Sequence, residues 1–319
     1  MKTRSQIGGF GALILSLTLF MAACGSTTGS SGSSAGSGAG YTVRAGQFSW
    51  SAAVLTNTIL ERIAKRNPNL GVSGFKTTQL DPATAWAGAG RGDIDLMSEV
   101  ELPNQQKFVD SAKDKMQLAG QTYGDAQQGW FVPKYSVEPG GPAAGLTSVT
   151  QLNDFNKVFG GKLYDQDPGY VTTEENTKRL KGYNITYDHV IASESAELAQ
   201  LKRAYDRKEP IVLYLYHPNA VFAQYDLVQL QEPTPYTDGC LTTGSGACAM
   251  PAYSAHIAAS DTLKRQAPKF VALLGKIRIS VAEMEQMQKT IDVDKKTPAD
   301  VAQAWVDSHQ QQIDSWSAQ

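Results

Sequence analysis

The sequence is poor in the residues and motifs that mark most enzymes. Its four histidines show no spacing suited to a zinc site. No Gly-x-Ser-x-Gly elbow stands between a predicted strand and a helix, and the lysine of a nucleotide-binding P-loop is absent. These absences favour a binding protein over an enzyme, and we expect neither a metal nor a cofactor.

An excess of charge of one sign is also missing. The chain has 29 Lys and Arg against 31 Asp and Glu, which gives a net charge of −2. Removal of residues 1–23, which carry two cations and no acid, would change the net charge from −2 to −4. A mildly acidic body lacks the basic surface that nucleic acids need, so we expect no nucleic-acid partner.

Long hydrophobic runs are missing apart from residues 7–23, which are too short and too interrupted by glycine for a convincing membrane span. Lys2 and Arg4 give this stretch a basic start, so residues 1–23 are predicted to be a signal peptide. The closing FMAAC resembles a bacterial lipobox, with Met21 where leucine is usual, and this implies lipidation of Cys24. A plain secretory signal with an incidental Cys24 is the alternative.

A tether and a cysteine pair agree with export. Residues 25–40 consist almost wholly of Gly, Ser, Thr and Ala, and such a segment behaves as a coil spanning about 20 Å. We therefore expect residues 24–40 to tether an extracytoplasmic protein to the bacterial cell membrane. Cys240 and Cys248 would form a short-loop disulfide in an oxidising compartment, and two free thiols are the alternative.

The body of the chain alternates predicted strands and helices, which indicates an α/β fold of mainly parallel sheets flanked by helices. At about 100–200 residues per domain, the chain has room for two lobes. We predict one lobe from residues 41–130 and 236–319 and the other from residues 131–235. Strands are predicted at residues 41–48, 75–79, 94–100, 128–135, 162–165, 211–215 and 255–258.

One predicted strand organises the rest of the chain. Residues 211–215 (IVLYL) are typical of a strand buried on both faces. The strand is followed by Tyr216, His217 and Pro218, and proline cannot continue the hydrogen-bond ladder. Its last side chains therefore project at the carboxyl edge of the sheet, where open α/β sheets bind ligands.

Aromatic side chains recur at this predicted edge in both lobes, namely Trp50, Trp130, Tyr170 and Tyr216. A box of aromatic faces attracts a cation, and each contact contributes about 0.5–2 kcal/mol once water is excluded. Quaternary ammonium ligands suit such a box best, because they cannot donate hydrogen bonds and lose little by leaving water.

Two acids stand near the end of the predicted strand at 94–100. Alternation places Glu99 and Glu101 on the same side of the strand. Two carboxylates so close would attract a cation or, if desolvated, could serve acid–base chemistry. A lipid-anchored hydrolase that uses this pair is therefore the rival hypothesis from another class, and two solvated surface acids are the simplest alternative.

Several segments resemble the glycine betaine/choline-binding proteins of osmoprotectant ABC transporters. YLYHPNAVFAQYDLVQLQEP is similar to the family's Trp-x-Pro segment with its Tyr-Asp-Leu continuation, RGDIDLMSEVELP to its Gly-Asp-x-Asp strand, and QDPGY to its Asn-Pro-Gly-Trp turn. The resemblance runs from about residue 43 to residue 316. It implies a type II periplasmic-binding-protein fold with a ligand cleft between two lobes, a quaternary amine as ligand, an ABC permease as partner, and a monomer.

The resemblance also implies which residues bind the ligand. Tyr216 matches the cage tryptophan of Trp-x-Pro, and Tyr170 matches that of Pro-Gly-Trp. Trp50 matches an aromatic residue before the first helix, and Trp130 matches a cage tyrosine near the crossing between lobes. Further candidates in the matching segments are Asp167 and His217.

Departures from the family pattern bear on the choice of ligand. Glu101 stands where the family usually has a tryptophan, and Gln105 replaces a histidine that helps to hold the carboxylate of betaine. A gained acid and a lost histidine argue against a zwitterion with an exposed carboxylate. A choline-like cation is therefore expected, with Glu99 as a further candidate contact. Glycine betaine, a polyamine or another cationic or betaine-like solute remain the alternatives.

Overall fold

The computed structural model describes residues 40–317, so the predicted signal peptide, the lipidation of Cys24 and residues 24–39 of the predicted tether lie outside it. Ten strands and eleven α-helices alternate along the described residues. The strands are β1 (Tyr41–Gln47), β2 (Val72–Gln79), β3 (Leu96–Leu102), β4 (Met116–Ala126), β5 (Gln128–Pro133), β6 (Lys162–Asp165), β7 (Asp188–Ile191), β8 (Leu213–Tyr216), β9 (Leu227–Gln229) and β10 (Tyr253–Ser260). The helices are α1 (Ser51–Arg66), α2 (Pro82–Arg91), α3 (Gln106–Ala112), α4 (Lys134–Val137), α5 (Val171–Gly182), α6 (Glu194–Arg207), α7 (Asp261–Gln266), α8 (Pro268–Leu274), α9 (Val281–Asp292), α10 (Pro298–Ser308) and α11 (Gln310–Ser317).

The strands form two five-stranded sheets. The order in the first sheet is β2-β1-β3-β10-β4, and the order in the second is β7-β6-β8-β5-β9. In the first sheet β10 runs antiparallel to both neighbours, and in the second sheet β5 does the same, while the other four strands of each sheet share one direction. The prediction of two mainly parallel α/β lobes is therefore confirmed.

The local sequence explains where most helices begin. Asp81 accepts a hydrogen bond from the amide of Thr84 and caps α2, whose first residue is Pro82. Ser193 caps α6 in the same way, and Ser280 forms a reciprocal capping box with Glu283 at the start of α9. Helices α2 and α6 therefore begin within a few residues of the carboxyl ends of β2 and β7.

Helix α1 shows how the apolar pattern is used. It packs against β2, β3 and α10, and Leu55, Ile59 and Ile63 on its apolar face have no exposed surface. Burial of such a side chain contributes about 1.5–3 kcal/mol, so this face fixes the helix on the sheet. The residue just before it, Trp50, is held at the junction of β1 and α1.

The crossing between the sheets differs from the expected boundary at residue 130. Strand β5 begins at Gln128 and pairs with β8 and β9, so the chain crosses at Gln127, directly after β4 ends. Before β10 returns the chain to the first sheet, the disulfide loop contacts α5 of the second sheet. Lys178 donates to the carbonyl of Thr242, and Arg179 Nε donates to the carbonyl of Cys248 at 3.3 Å.

The disulfide between Cys240 and Cys248 is formed, with an S–S distance of 2.05 Å. It closes the loop that lies on α5, and a Cβ atom at Gly182 of that helix would stand 2.5 Å from the carbonyl oxygen of Ser245. Glycine is therefore needed where α5 meets the loop. Among residues 40–317, no helix has the length and apolar character needed to cross a membrane.

Candidate binding site

A cavity lies beside the end of β8, between elements of the two sheets. Its walls combine four aromatic rings with one acid and several amides. Four of the predicted site residues line it, namely Trp50, Glu101, Tyr170 and Tyr216. The other lining residues are Pro82, Asn104, Gln105, Gln166, Val171, Thr172 and Tyr214.

Trp50 and Tyr170 meet across the cavity because they occupy equivalent places in the two halves of the fold. Trp50 immediately precedes α1 and Tyr170 immediately precedes α5. Their ring centroids lie 5.4 Å apart with the planes at 84°, an edge-to-face contact. The other side of the indole stacks on Phe48 at 4.5 Å, so the orientation of Trp50 is fixed by packing.

The remaining aromatic wall comes from alternate residues of β8. Tyr214 and Tyr216 project on the same face of the strand, and their ring centroids lie 6.2 Å apart. Alternation in the sequence LYLY contains this signal, although only Tyr216 was predicted to bind the ligand. Both side chains are almost completely buried, with 2% and 6% of their surface exposed.

Each tyrosine hydroxyl is held by a specific partner. The Tyr170 hydroxyl lies 2.7 Å from Ser49 Oγ, Tyr214 donates to Gln128 Oε1 at 2.8 Å, and Tyr216 donates to Glu194 Oε1 at 2.7 Å. These bonds satisfy the polar ends of the side chains and leave the ring faces for the cavity. The site is therefore a preorganised aromatic surface rather than a set of loose side chains.

Glu101 is the acid that lines the cavity. Burial and, next, the charge of Glu99 raise the pKa of its carboxyl group to about 8. The other charged group that acts on it is a third acid, Glu194, and the amide of Asn104 lies at a long 3.5 Å. The lining contains no Lys, Arg or His to compensate this carboxylate.

Glu99 does not line the cavity, although it is two residues from Glu101 on the same strand. It is completely buried in the first lobe, where it accepts hydrogen bonds from Thr56 Oγ1 at 2.9 Å and Tyr123 Oη at 2.6 Å. Burial raises its pKa to about 7. The hydrolase hypothesis requires both carboxyl groups to face a common substrate. In this structure they do not, because only Glu101 lines the cavity.

Trp130 is also outside the cavity lining. It stands opposite Tyr214 in the pairing of β5 with β8, and its indole is fully buried. Its Nε1 donates to Asn176 Oδ1 at 2.8 Å, and the guanidinium of Arg179 lies 4.2 Å from its ring centroid. Two side chains of α5 thus contact the indole of Trp130. Tyr214, and not Trp130, lines the cavity on this side.

Asp167 and His217 lie near the site but not in its lining. Asp167 is partly exposed in the turn before Tyr170, where its carbonyl accepts from the amide of Tyr170 at 3.0 Å. His217 Nδ1 lies 2.6 Å from Glu285 Oε1, and its backbone amide donates to the carbonyl of Gln127 at 2.7 Å. His217 therefore sits at the crossing between the sheets.

The polar lining groups differ in whether they have partners. Gln105 accepts from Trp86 Nε1 at 2.9 Å and donates to the carbonyl of Glu99 at 3.3 Å, so its amide is occupied. Trp50 Nε1 is buried without a hydrogen-bond partner among the described residues. Buried polar groups are normally paired, so this is a group that a ligand hydroxyl would satisfy.

Two α/β lobes with an aromatic cavity between their strand ends are the arrangement of a solute-binding protein of the two-lobed type. The profile of the family described as the substrate binding domain of the ABC-type glycine betaine transport system matches residues 41–308. The chain belongs to this family. It is a substrate-binding protein of the ABC-type glycine betaine transport family.

Individual relatives agree with the family. The glycine betaine/proline betaine-binding periplasmic protein of Escherichia coli (strain K12) is 22% identical over 304 residues, which cover 88% of this chain and 90% of that protein. Lactococcal OpuAC, solved closed with glycine betaine, is 24% identical with a TM-score of 0.72 and covers 86% of this chain and 98% of its own. A choline-binding protein of an ABC transporter, solved with choline, is 18% identical with a TM-score of 0.72, and the match covers 87% of this chain and 91% of that protein. At these identities the two solved structures support the fold alone.

Proposed function

We propose that this protein binds a small quaternary ammonium cation that carries no acid group, choline or a close analogue, in the aromatic cavity. The observation that carries the proposal is the carboxyl group of Glu101, which faces four aromatic rings with acids and no cation around it. A buried carboxylate is costly unless it is paired, and a bound cation supplies the missing charge. The rings supply the cation–π contacts.

A zwitterionic betaine fits this lining less well. Its carboxylate would need cationic or amide donors, and the cavity lining contains none of the cationic residues. Where the resemblance implies a histidine for this purpose, Gln105 is already engaged with Trp86 and the carbonyl of Glu99. The unpartnered Trp50 Nε1 can instead hold a ligand hydroxyl.

Closure of the two lobes would complete the site. The Ser49–Tyr170 hydrogen bond and the Trp50–Tyr170 ring contact both join the end of β1 to the start of α5, across the cavity. We infer that such contacts form when the lobes close on the cation and exclude water. The closed monomer would then deliver the solute to the permease from a membrane surface, held there by lipidated Cys24.

A calorimetric titration of the purified chain with choline, glycine betaine, carnitine and a polyamine tests the proposal. We expect choline to bind most tightly and glycine betaine at least tenfold more weakly, because the latter places its carboxylate near Glu101. Tighter binding of glycine betaine than of choline would contradict the assignment of Glu101 as the selective group. Strong binding of the polyamine alone would show that a primary amine is the ligand.

A further inference from the structure

A second carboxylate lies behind the aromatic wall. The hydroxyl of Tyr216 donates to Glu194 Oε1 at 2.7 Å, and Asn219 Nδ2 donates to the same oxygen at 3.1 Å. Glu194 is not part of the cavity lining. Its connection with the site runs through the ring of Tyr216, whose face lines the cavity.

The surroundings of Glu194 define its charge. It is the first residue of α6, immediately after the cap Ser193, and the amino end of a helix favours a carboxylate. Burial raises the pKa of the Glu194 carboxyl group and the nearby acids Asp292 and Asp167 add to this effect, whereas the hydrogen bonds from Tyr216 and Asn219 favour the ionised form. A cation in the cavity shifts this balance towards the carboxylate, since Glu194 acts electrostatically on Glu101 as well.

A phenol that donates a hydrogen bond to a carboxylate gains electron density in its ring. The attraction of a cation to an aromatic face is electrostatic and depends on the negative charge of that face. A hydrogen bond to an ionised acceptor is also stronger than a neutral one, so the ring is held in one orientation. A tryptophan, which the family resemblance implies at position 216, has no hydroxyl through which to form this link.

We propose that Glu194 is a positioning residue that determines specificity, because through the Tyr216 hydroxyl it makes this wall of the cavity selective for a cation over a neutral ligand of the same shape. The inference rests on the proposed binding of a quaternary ammonium cation. It assigns to a residue outside the cavity a part of the selectivity that Glu101 provides from within.

The test compares choline with its neutral isostere 3,3-dimethylbutan-1-ol in the full chain and in Glu194→Gln. Glutamine keeps an oxygen that accepts from Tyr216, so only the charge is removed. We expect choline affinity to fall about three- to tenfold, while the affinity of the neutral isostere changes less than about twofold. The matched control is Glu209→Gln, an equal change of charge at a side chain that is 57% exposed.

A second variant separates the ring from the charge. Tyr216→Phe keeps the aromatic face and removes the hydrogen bond. It should therefore also weaken the binding of choline more than that of the neutral isostere. In this background Glu194→Gln should have a smaller effect on choline than in the unaltered protein. An undiminished effect would show that Glu194 acts through space and would overturn the role of the hydroxyl.

The outcomes that overturn the inference are distinct from failure of the proposed function. Equal losses for choline and the neutral isostere in Glu194→Gln would show a merely structural role, and unchanged affinities would show no role. In both cases the unaltered protein still binds choline, and the proposed function stands. If the unaltered protein binds no quaternary amine, the proposed function and this inference both fail. Should Glu194→Gln not fold, the selectivity measured in Tyr216→Phe decides.

Discussion

The two lobes contribute different chemistry to the same cavity. The first lobe supplies the acid, Glu101, together with the amides of Asn104 and Gln105, and a single ring from Trp50. The second lobe supplies three tyrosines, at the start of α5 and along β8. Charge therefore comes mainly from one side and aromatic surface mainly from the other, so full affinity for a cation requires both lobes in contact with it.

The largest effect should follow from removal of the charge on the first lobe. Glu101→Gln keeps the size of the side chain and its hydrogen-bonding oxygen, but it no longer pairs with a cation. We expect choline affinity to fall about 10- to 100-fold, because the charge that pairs with the cation in the cavity is lost, measured by calorimetric titration.

Glu99→Gln is the matched control for this substitution, since Glu99 lies two residues away and does not reach the cavity. Its choline affinity should stay within about threefold of the unaltered protein. If Glu99→Gln weakened choline binding as much as Glu101→Gln did, the two acids would contribute equally. The claim that the first lobe supplies its charge through Glu101 would then be wrong.

A smaller effect is expected on the aromatic side. Tyr214→Leu keeps much of the apolar volume and removes a ring face, so choline affinity should fall about two- to thirtyfold, which corresponds to one cation–π contact. Trp130→Phe should change choline affinity less than about twofold, because Trp130 contacts Arg179 and Asn176 instead of the cavity.

Thermal unfolding of Trp130→Phe provides the second half of this comparison. Loss of the indole hydrogen bond to Asn176 should lower the free energy of unfolding by about 1 kcal/mol. A large loss of choline affinity in Trp130→Phe, with none in Tyr214→Leu, would show that Trp130 contacts the ligand, as predicted from the sequence, and that Tyr214 does not.

The smallest effect concerns the contact between the lobes. Ser49→Ala removes the hydrogen bond to the Tyr170 hydroxyl and leaves the ring in place, so choline affinity should fall about two- to tenfold. Small-angle scattering with choline should then report a larger fraction of open molecules. Ser73→Ala is the control, because the Ser73 hydroxyl bonds within the first lobe to the carbonyl of Gly40.

The sequence predicted the central strand, and four of its eight candidate ligand-binding residues line the cavity; the differences have physical causes. Strand β8 and Tyr216 were found because an apolar run ended at a proline. Strand β4 was not predicted, because MQLAGQTYGDA has a glycine-rich and irregular apolar pattern, and its place is set by pairing with β10. Long-range pairing of this kind leaves little local signal.

Side-chain partners from distant parts of the chain explain the errors within the site. Alternation put Glu99 beside Glu101, but Thr56 and Tyr123, from α1 and β4, hold Glu99 in the core. Trp130 was assigned to the cage by resemblance, while Arg179 of α5 covers its ring. Glu194 carried no motif, and its bond to Tyr216 became visible only when α6 was placed beside β8.

The most direct test of the account is a count of the protons released when choline binds. The pKa of Glu101 in the empty site is raised to about 8, so at pH 7 its carboxyl group is mostly protonated. A bound cation favours the carboxylate, so affinity should weaken as the pH falls below 8, approaching tenfold per pH unit. Calorimetry at pH 7 in buffers of different ionisation enthalpy should show release of close to one proton, and almost none in Glu101→Gln. Choline binding without proton release in the unaltered protein, with equal affinity at pH 6 and pH 8, would contradict the claim that Glu101 receives the cation.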